Sequence, residues 1–248
     1  MISLARNNEP ILIPMQSSGT QHVWLRRLVG EKAEGFEGES TRSTDELTGN
    51  VTQGRGLAHF AEGLSVVYSR MAHALKPGSP LAFTYHHDKI EAYYAIGVAI
   101  LDAGLTCSAS LPCPAEMGDS IHIHGTGSSI VDTVFVCRSG GVSPSRWLFD
   151  TPEQLTVIVA EDFAHLTSAG RKPSRGDIHC IICGHLIRMA VWNLRRTWQA
   201  ELPTEDKLAL FAEEVAEFGA LERIIELAVS VPANGTQSSP YSRVIVHG

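Results

Sequence analysis

The stretch that decides the fold class is residues 80–105, PLAFTYHHDKIEAYYAIGVAILDAGL. Residues 80–85 are mostly apolar or aromatic and are bounded by turn-forming residues, which predicts a short buried β-strand. Apolar residues then recur at helical spacing and predict an amphipathic helix: Ile90, Tyr94, Val98 and Leu101. Asp88 and Glu91 form the pattern of a capping box at its start, and Gly104 lies where a left-handed C-terminal residue is needed.

Helix and strand patterns flank this stretch on both sides. Residues 57–75 carry apolar side chains at spacings of three and four, which predicts a helix that ends at residues 76–78. Two further strands are predicted at residues 105–111, ended by Pro112, and at residues 130–137. The order helix, strand, helix, strand, strand is typical of part of an α/β domain.

The chain divides into three predicted regions. Residues 1–56 hold an N-terminal helix and a long polar loop, residues 57–140 hold the α/β pattern, and residues 141–248 are helical. Helices in the last region are predicted to begin at Thr151, Asp177, Pro203 and Leu221. The predicted fold class is therefore α/β with a helical C-terminal appendage.

Composition excludes several classes of protein. Hydrophobic residues make up 44% and charged residues 19% of the chain, so neither a disordered tail nor a long coiled coil is expected. No apolar run reaches the roughly eighteen residues that a membrane span needs, and the N-terminus lacks a secretory pattern. Five scattered cysteines without such a signal indicate reduced thiols and a cytoplasmic location. Because the net charge is −7, any DNA contact requires a local basic patch.

The most chemically suggestive motif is His86-His87-Asp88, which follows the predicted strand at residues 80–85. Open α/β sheets bind their ligands at the carboxyl edge, where this motif lies. Imidazoles there can bind a metal, donate hydrogen bonds to a substrate or stack on a base. The alternative interpretation is a capping aspartate beside two partly exposed histidines.

Three other motifs carry structural interpretations. His122 and His124 form only half of a metal site, which needs three or four ligands. Cys180 and Cys183 form a single Cys-x-x-Cys pair within a helical pattern, where small thiols commonly fill helix contacts. Residues 125–129 lack the third glycine of a phosphate loop and predict a turn.

Basic side chains cluster at positions that can contact phosphates. The candidates are Arg26, Arg27, Arg171, Lys172 and Arg175. The alternative interpretation for each of them is a solvated surface.

Seven segments carry a resemblance to a known family when they are taken in order. They are VWLRR at 23–27, LKPG at 75–78, LAFTYHH at 81–87, EAYYAIGVAILDAGL at 91–105, PCPAEM at 112–117, SSIVDTVFVCR at 128–138 and GRKPSRGDIHCIICGHL at 170–186. The chain resembles the C-terminal part of adenine-specific DNA methylase-like proteins, which are large prokaryotic amino-methyltransferases.

The resemblance implies a Rossmann-type fold and methyl transfer from S-adenosylmethionine to the exocyclic amine of adenine or cytosine in DNA. That family holds the cofactor on a glycine-rich turn and the target amine on an Asp/Asn-Pro-Pro-Tyr loop, and neither motif occurs in this sequence. The resemblance therefore implies a portion that is inactive alone, in which Tyr85, His86 and His87 border the substrate cleft.

The missing strand of such a sheet would leave residues 81–85 as an open edge. We therefore expect a partner such as an upstream methyltransferase half, or self-association. Two other functions stay open at this point. One is a non-catalytic DNA-recognition or interaction module. The other is a metal-dependent hydrolase that uses His86, His87, Asp88, His122 and His124.

Overall fold

The fold comes from a computed structural model that describes residues 2–6, 9–13, 56–114, 131–139, 149, 151–171 and 174–230. The strands are β1 (Ile2–Arg6), β2 (Glu9–Ile13), β3 (Pro80–Tyr85), β4 (Leu105–Pro114) and β5 (Val131–Ser139). The helices are α1 (Leu57–Ala74), α2 (Ile90–Asp102), α3 (Pro152–Ser168), α4 (Arg175–Leu194), α5 (Thr204–Phe218) and α6 (Leu221–Ser230). The predicted α/β class is confirmed.

The strands form one sheet in the order β2-β1-β3-β5-β4, and every neighbouring pair is antiparallel. Because β3 and β4 are each antiparallel to β5, they run parallel to one another, and α2 connects them. This is a β-α-β unit with a reversed strand inserted between its two parallel strands. It places the chain that follows β3 beside the start of β5.

The expectation that residues 81–85 form an open edge is wrong for Leu81–Phe83. Ile2–Leu4 of β1 pair with Leu81–Phe83 on one side of β3, and β5 pairs with the whole of β3 on the other. The backbone groups of an apolar strand are costly to leave unpaired, and β1 satisfies part of them. For these three residues the structural reason for expecting self-association is therefore removed. The predicted N-terminal helix, at residues 23–27, lies outside the described residues, and strands β1 and β2 were not predicted.

Strand β4 lies at one end of the sheet and continues through Pro112 to Pro114 instead of ending before them. Proline is tolerated on an edge strand because its missing N–H can face away from the partner strand. The pairing of β4 with β5 is also irregular between Cys107 and Ala109. Prolines and bulges both hinder the addition of another strand to an edge.

Aromatic side chains form the centre of the core on one face of the sheet. The ring of Phe83 in β3 lies 4.8 Å from that of Tyr68 in α1 and 5.4 Å from that of Phe135 in β5. Tyr93 of α2 contacts Phe135 edge-on at 6.4 Å. All four side chains are at most 2% exposed, so α1 and α2 are anchored on β3 and β5 by buried apolar area.

Helix α4 packs directly on the sheet, so the helical region is continuous with the α/β core. A Cβ atom built on Gly184 would lie 2.5 Å from Ser110 Oγ and 2.6 Å from Thr133 Cγ2. Only a residue without a side chain allows α4 to approach β4 and β5 this closely. This contact brings the first half of α4 next to the carboxyl end of β3.

None of the helices in the described part of the chain has the length and apolar content needed to cross a bilayer.

The helix boundaries test the predicted caps. Thr151 accepts a hydrogen bond from the Gln154 backbone N–H, as predicted for the start of α3. Gly104 adopts a φ of 65°, which confirms its predicted left-handed role. Helix α4 begins two residues before the predicted Asp177, because Ser174 caps it and the Asp177 carboxylate accepts from the Ser174 N–H.

The predicted capping box at Asp88 and Glu91 is wrong. The N-cap of α2 is Lys89, which has extended backbone angles and makes no side-chain cap hydrogen bond. The Lys89 backbone N–H donates instead to Nδ1 of His87 at 3.0 Å. Helix α2 therefore begins one residue later than the predicted cap at Asp88 requires.

Candidate functional site at the carboxyl end of β3

Three predicted site residues lie together at the carboxyl end of β3. Tyr85 is the last residue of the strand, and His86 and His87 follow it. The inserted strand β5 begins beside them at Val131, and Cys180 of α4 reaches the same place. The site therefore combines the β3–α2 connection, the start of β5 and the first half of α4.

His86 is held in one orientation by three groups around its Nδ1 atom. The Val131 carbonyl oxygen lies 3.0 Å away, the Cys180 sulfur 3.3 Å away and the nearer Asp132 carboxylate oxygen 3.7 Å away. A carbonyl oxygen has no proton to give, so Nδ1 must carry the proton of the shortest contact. The imidazole is thereby fixed with its Nε2 edge directed away from these partners, and its side chain is 38% exposed.

The Cys180 sulfur is the buried centre of the site. It lies 3.3 Å from the His86 Nδ1 atom and 3.3 Å from the Tyr93 hydroxyl oxygen, while the residue is 1% exposed. The Thr133 hydroxyl donates to the Cys180 carbonyl oxygen at 3.2 Å, which ties this turn of α4 to β5. Burial raises the pKa of Tyr93 well above the usual range, so its phenol stays protonated and can donate to the sulfur.

The environment of His86 favours its charged form. Its contact with the Cys180 sulfur is the largest influence and raises the pKa from 6.5 to about 9, although burial acts in the opposite direction. The Val131 carbonyl and the Asp132 carboxylate raise the pKa further. At pH 7 the site therefore presents an imidazolium.

We expect Cys180→Ala to return the pKa of His86 toward 6.5, because the mutation removes the largest interaction that favours the charged ring. Since the pKa of His86 is raised in the folded chain, its contribution to stability is fully present below about pH 6.5 and is lost as the pH rises through about 9. NMR titration of the His86 imidazole measures the shift, with Cys183→Ala as the matched control. A pKa near 6.5 in the unmutated chain would contradict the described geometry.

His87 and Tyr85 each make a hydrogen bond within the fold. His87 uses Nδ1 to accept from the Lys89 N–H, and its side chain is 43% exposed. The nearby Asp88 carboxylate, at 3.0 Å, is 82% exposed, so this contact adds little stability. Tyr85 donates its hydroxyl to the Ala92 carbonyl at 3.3 Å and packs edge-on against Tyr93 at 5.0 Å. The resemblance placed Tyr85 at the substrate cleft, whereas here its hydroxyl is used within the fold.

A second histidine–cysteine pair lies within α4, on either side of Cys180 in the sequence. His179 and Cys183 approach each other to 3.7 Å. Burial lowers the pKa of His179, while the acidic groups of Asp88, Glu222 and Glu91 act against it. Burial also raises the pKa of the Cys183 thiol well above its ordinary value. This pair therefore favours a neutral ring and a neutral thiol, in contrast with the charged ring of His86.

The metal hypothesis gains no support from this arrangement. Within the described ranges, no group of three or more histidine, cysteine, aspartate or glutamate side chains is arranged to hold a metal ion. His122, His124 and the turn predicted at residues 125–129 lie outside those ranges. The participation of Cys180 and Tyr93 was not predicted; the only sequence signal for Cys180 was the Cys-x-x-Cys pair, which was interpreted as helix packing.

The predicted DNA-contacting residues are only partly described. Arg26, Arg27 and Lys172 lie outside the described residues. Arg175 is exposed in the first turn of α4, and Arg171 is half-buried just after α3. Cys180 lies five positions after Arg175 on the helix, which corresponds to about 8 Å along the axis. Arg175 therefore lies about one and a half helical turns before Cys180 on α4.

Comparisons were made with protein-family models, with curated proteins and with solved structures. None of them finds a match. The function must therefore be argued from the site itself.

Proposed function

We propose that this chain forms the substrate side of an S-adenosylmethionine-dependent DNA amino-methyltransferase, and that another polypeptide supplies the cofactor side. The observation that supports the proposal is the β-α-β unit with His86 and His87 at its carboxyl end. Ligands of open α/β sheets bind at this edge. The segment LAFTYHH and its neighbours resemble DNA amino-methyltransferases, and this resemblance is the reason for proposing a DNA base as the substrate.

The cofactor does not fit the residues at this site. A nucleotide-binding turn needs glycines so that the backbone can approach the ligand and the helix N-terminus can face it. None of the four residues between β3 and α2, from His86 to Lys89, is a glycine. The His86 ring also fills the space beside Val131 and Cys180. We therefore derive no step through S-adenosylmethionine for this chain.

What these residues offer is recognition of a base or a phosphate. The Nδ1 side of His86 is fixed by Val131 and Cys180, and no partner of Nε2 occurs in the described part of the chain. A charged imidazole held in this way donates an Nε2 hydrogen bond without having to reorient. His87, with 43% of its side chain exposed, adds a ring face on which an unstacked base can stack. Arg175 at the start of α4 adds a positive charge for the phosphates on either side.

Two titrations test this proposal. We expect a fluorescent hairpin with an extrahelical adenine to bind more tightly than a fully paired duplex, because an adenine that is already unstacked does not have to be flipped out. We also expect its affinity to fall steeply with salt. S-adenosylmethionine is expected to show no heat of binding in calorimetry. Equal affinity for both DNA forms would contradict a base-binding site, and tight binding of the cofactor would contradict the assignment of a substrate side.

The second candidate is a DNA-recognition module without a methyltransferase partner, which the absence of a fitting cofactor turn favours. The two candidates differ in one result. Methyl transfer to the hairpin amine after addition of the product of an adjacent reading frame supports the first. Base-selective binding that no such product converts to methyl transfer supports the second.

A further inference from the structure

Two of the five cysteines lie directly opposite one another on neighbouring strands. Cys107 of β4 pairs in register with Cys137 of β5, and both residues are at most 1% exposed. Opposed residues of an antiparallel pair have Cα atoms about 4.5 or 5.5 Å apart, depending on whether they are hydrogen-bonded. A disulfide joins Cα atoms about 4.4–6.8 Å apart, so the backbone admits a bond between these two sulfurs in either case.

The side chains of this pair also meet. The Cys107 and Cys137 thiols are hydrogen-bonded to one another, so both point into the same space between the strands. A positive charge lies beside them, because the buried Arg188 of α4 and the Cys107 sulfur interact electrostatically. The two sulfurs can therefore react with one another without any change of strand register.

We propose that Cys107 and Cys137 are a redox pair that hydrogen peroxide oxidises to a disulfide between β4 and β5. The bond ties β4 to its neighbour directly before the irregularity between Cys107 and Ala109, where the ladder is interrupted. Oxidation thus fixes the strand at the end of the sheet. This modification site uses none of the residues of the candidate base-binding site, so it stands apart from both proposed functions.

The irregularity next to Cys107 gives the oxidant a route to the pair. In the described part of the chain, β4 has a strand neighbour on one side only, and its pairing shifts between Cys107 and Ala109. A strand at the end of a sheet with an interrupted ladder opens locally at a lower free energy than the core. A molecule as small as hydrogen peroxide can therefore reach Cys107 without global unfolding.

Cys107 is the sulfur expected to react first. Burial opposes its ionisation, but the hydrogen bond from Cys137 and the charge of Arg188 outweigh burial and lower the pKa of Cys107. Burial and the Cys107 thiol raise the pKa of Cys137 well above its ordinary value. At rest the Cys107 thiol donates to the Ala109 carbonyl oxygen at 3.2 Å, and ionisation releases this contact. Because the thiolate is the nucleophile, Cys107 attacks the peroxide and Cys137 is the resolving thiol.

The chemical steps balance with the two thiols and one peroxide. The Cys107 sulfur attacks one peroxide oxygen, so an S–O bond forms, the O–O bond breaks, and the departing hydroxide leaves with the Cys107 proton as water. The Cys137 sulfur then attacks the Cys107 sulfur, so the S–S bond forms, the S–O bond breaks, and the hydroxyl leaves with the Cys137 proton as a second water. Each sulfur has lost one electron, and the peroxide has gained two.

The other three cysteines lack this arrangement. The Cys180 sulfur contacts His86 at 3.3 Å, whereas the Cys183 sulfur contacts His179 at 3.7 Å, so these two sulfurs have different partners. Cys113 is paired in register with an aspartate of β5. The pair Cys180 and Cys183 is close in sequence, and this is what would favour its linkage once the chain is unfolded.

The test is disulfide mapping by mass spectrometry after the reduced full chain is treated with equimolar hydrogen peroxide and remaining thiols are blocked with N-ethylmaleimide in denaturant. In the folded chain we expect the Cys107–Cys137 link to exceed every other pair about tenfold. In urea that unfolds the chain we expect Cys180–Cys183 to dominate instead, because short loops close more readily. Arg188→Gln is expected to slow linkage in the folded chain severalfold, because it removes the charge that favours the Cys107 thiolate. The exposed Arg196→Gln is the matched control.

Three outcomes would overturn the proposal. One is a folded chain in which Cys107 and Cys137 both end the peroxide treatment as blocked thiols. Another is the same distribution of linked pairs in the folded and the unfolded chain. The third is an unchanged rate of linkage in Arg188→Gln, with circular dichroism showing that this variant is folded. A chain that fails to bind DNA can still show the selective link, so this test and the DNA titrations can fail separately.

Discussion

Asp102→Asn is expected to destabilise the chain by about 3–5 kcal/mol, which is the cost of leaving a buried charge without its partner. The Asp102 carboxylate, at the end of α2, lies 2.9 Å from the Lys207 ammonium of α5. Only 13% of the aspartate side chain and 7% of the lysine side chain are exposed. The same carboxylate accepts from the Ser65 hydroxyl at 2.8 Å and from the Trp198 indole at 3.0 Å. Its loss therefore affects α1, α2 and α5 together.

Urea unfolding measures this change, and Glu62→Gln provides the matched control. Glu62 accepts from the Thr204 hydroxyl at 3.0 Å, so it also joins α1 to α5, but the contact is exposed. We expect less than about 1 kcal/mol for that variant. The double variant Asp102→Asn with Lys207→Met should recover much of the lost stability, since no buried charge is left unpaired. A loss below about 1 kcal/mol in Asp102→Asn would show that the pair is solvated.

Gly97→Ala is the second change with a large expected effect, at about 2–3 kcal/mol of destabilisation. A Cβ atom at this position would lie 2.6 Å from Phe211 Cζ, well inside contact distance. Phe211 is fully buried and packs edge-on against Trp198 at 5.7 Å, so its ring has little room to move. Overpacking of a core costs about 1–3 kcal/mol, and here it outweighs the roughly 1 kcal/mol by which alanine favours a helix.

A double-mutant cycle separates this clash from a general loss of packing. Phe211→Leu removes the ring atoms that approach Gly97, so the two substitutions together should destabilise less than the sum of the single changes. Gly56→Ala is the control, because no atom lies within 4 Å of a Cβ built there. Strict additivity of Gly97→Ala and Phe211→Leu would contradict the described approach of α2 and α5.

Local patterns in the sequence predict the elements but not how they pair. The helical spacing of Ile90 and Tyr94 and the left-handed position of Gly104 depend on neighbouring residues, and both predictions are confirmed. The pairing of β1 with Leu81–Phe83 joins residues almost eighty positions apart. The alternation of Ile2 and Leu4 with polar or small residues was its only signal, and five residues are too few to distinguish a strand from a loop.

The same limit applies to the candidate site. The position of His86 after a buried strand could be predicted, because the carboxyl end of a strand is a local property of the sequence. Its contact with Cys180 could not, since 94 residues separate the two. The capping box at Asp88 failed for a local reason, because Lys89 and not Asp88 is the N-cap of α2, and the Lys89 N–H donates to the His87 imidazole.

The central claim is that the carboxyl end of β3 is where this chain recognises an unstacked base. The measurement that tests it most directly is the affinity of His86→Asn for the adenine hairpin, compared with that of His73→Asn. These two histidines lie near opposite ends of β3, which six residues make roughly 20 Å long. We predict about tenfold weaker binding for His86→Asn, because a charged donor is lost, and unchanged binding for His73→Asn. Equal affinities of the two variants would contradict the account.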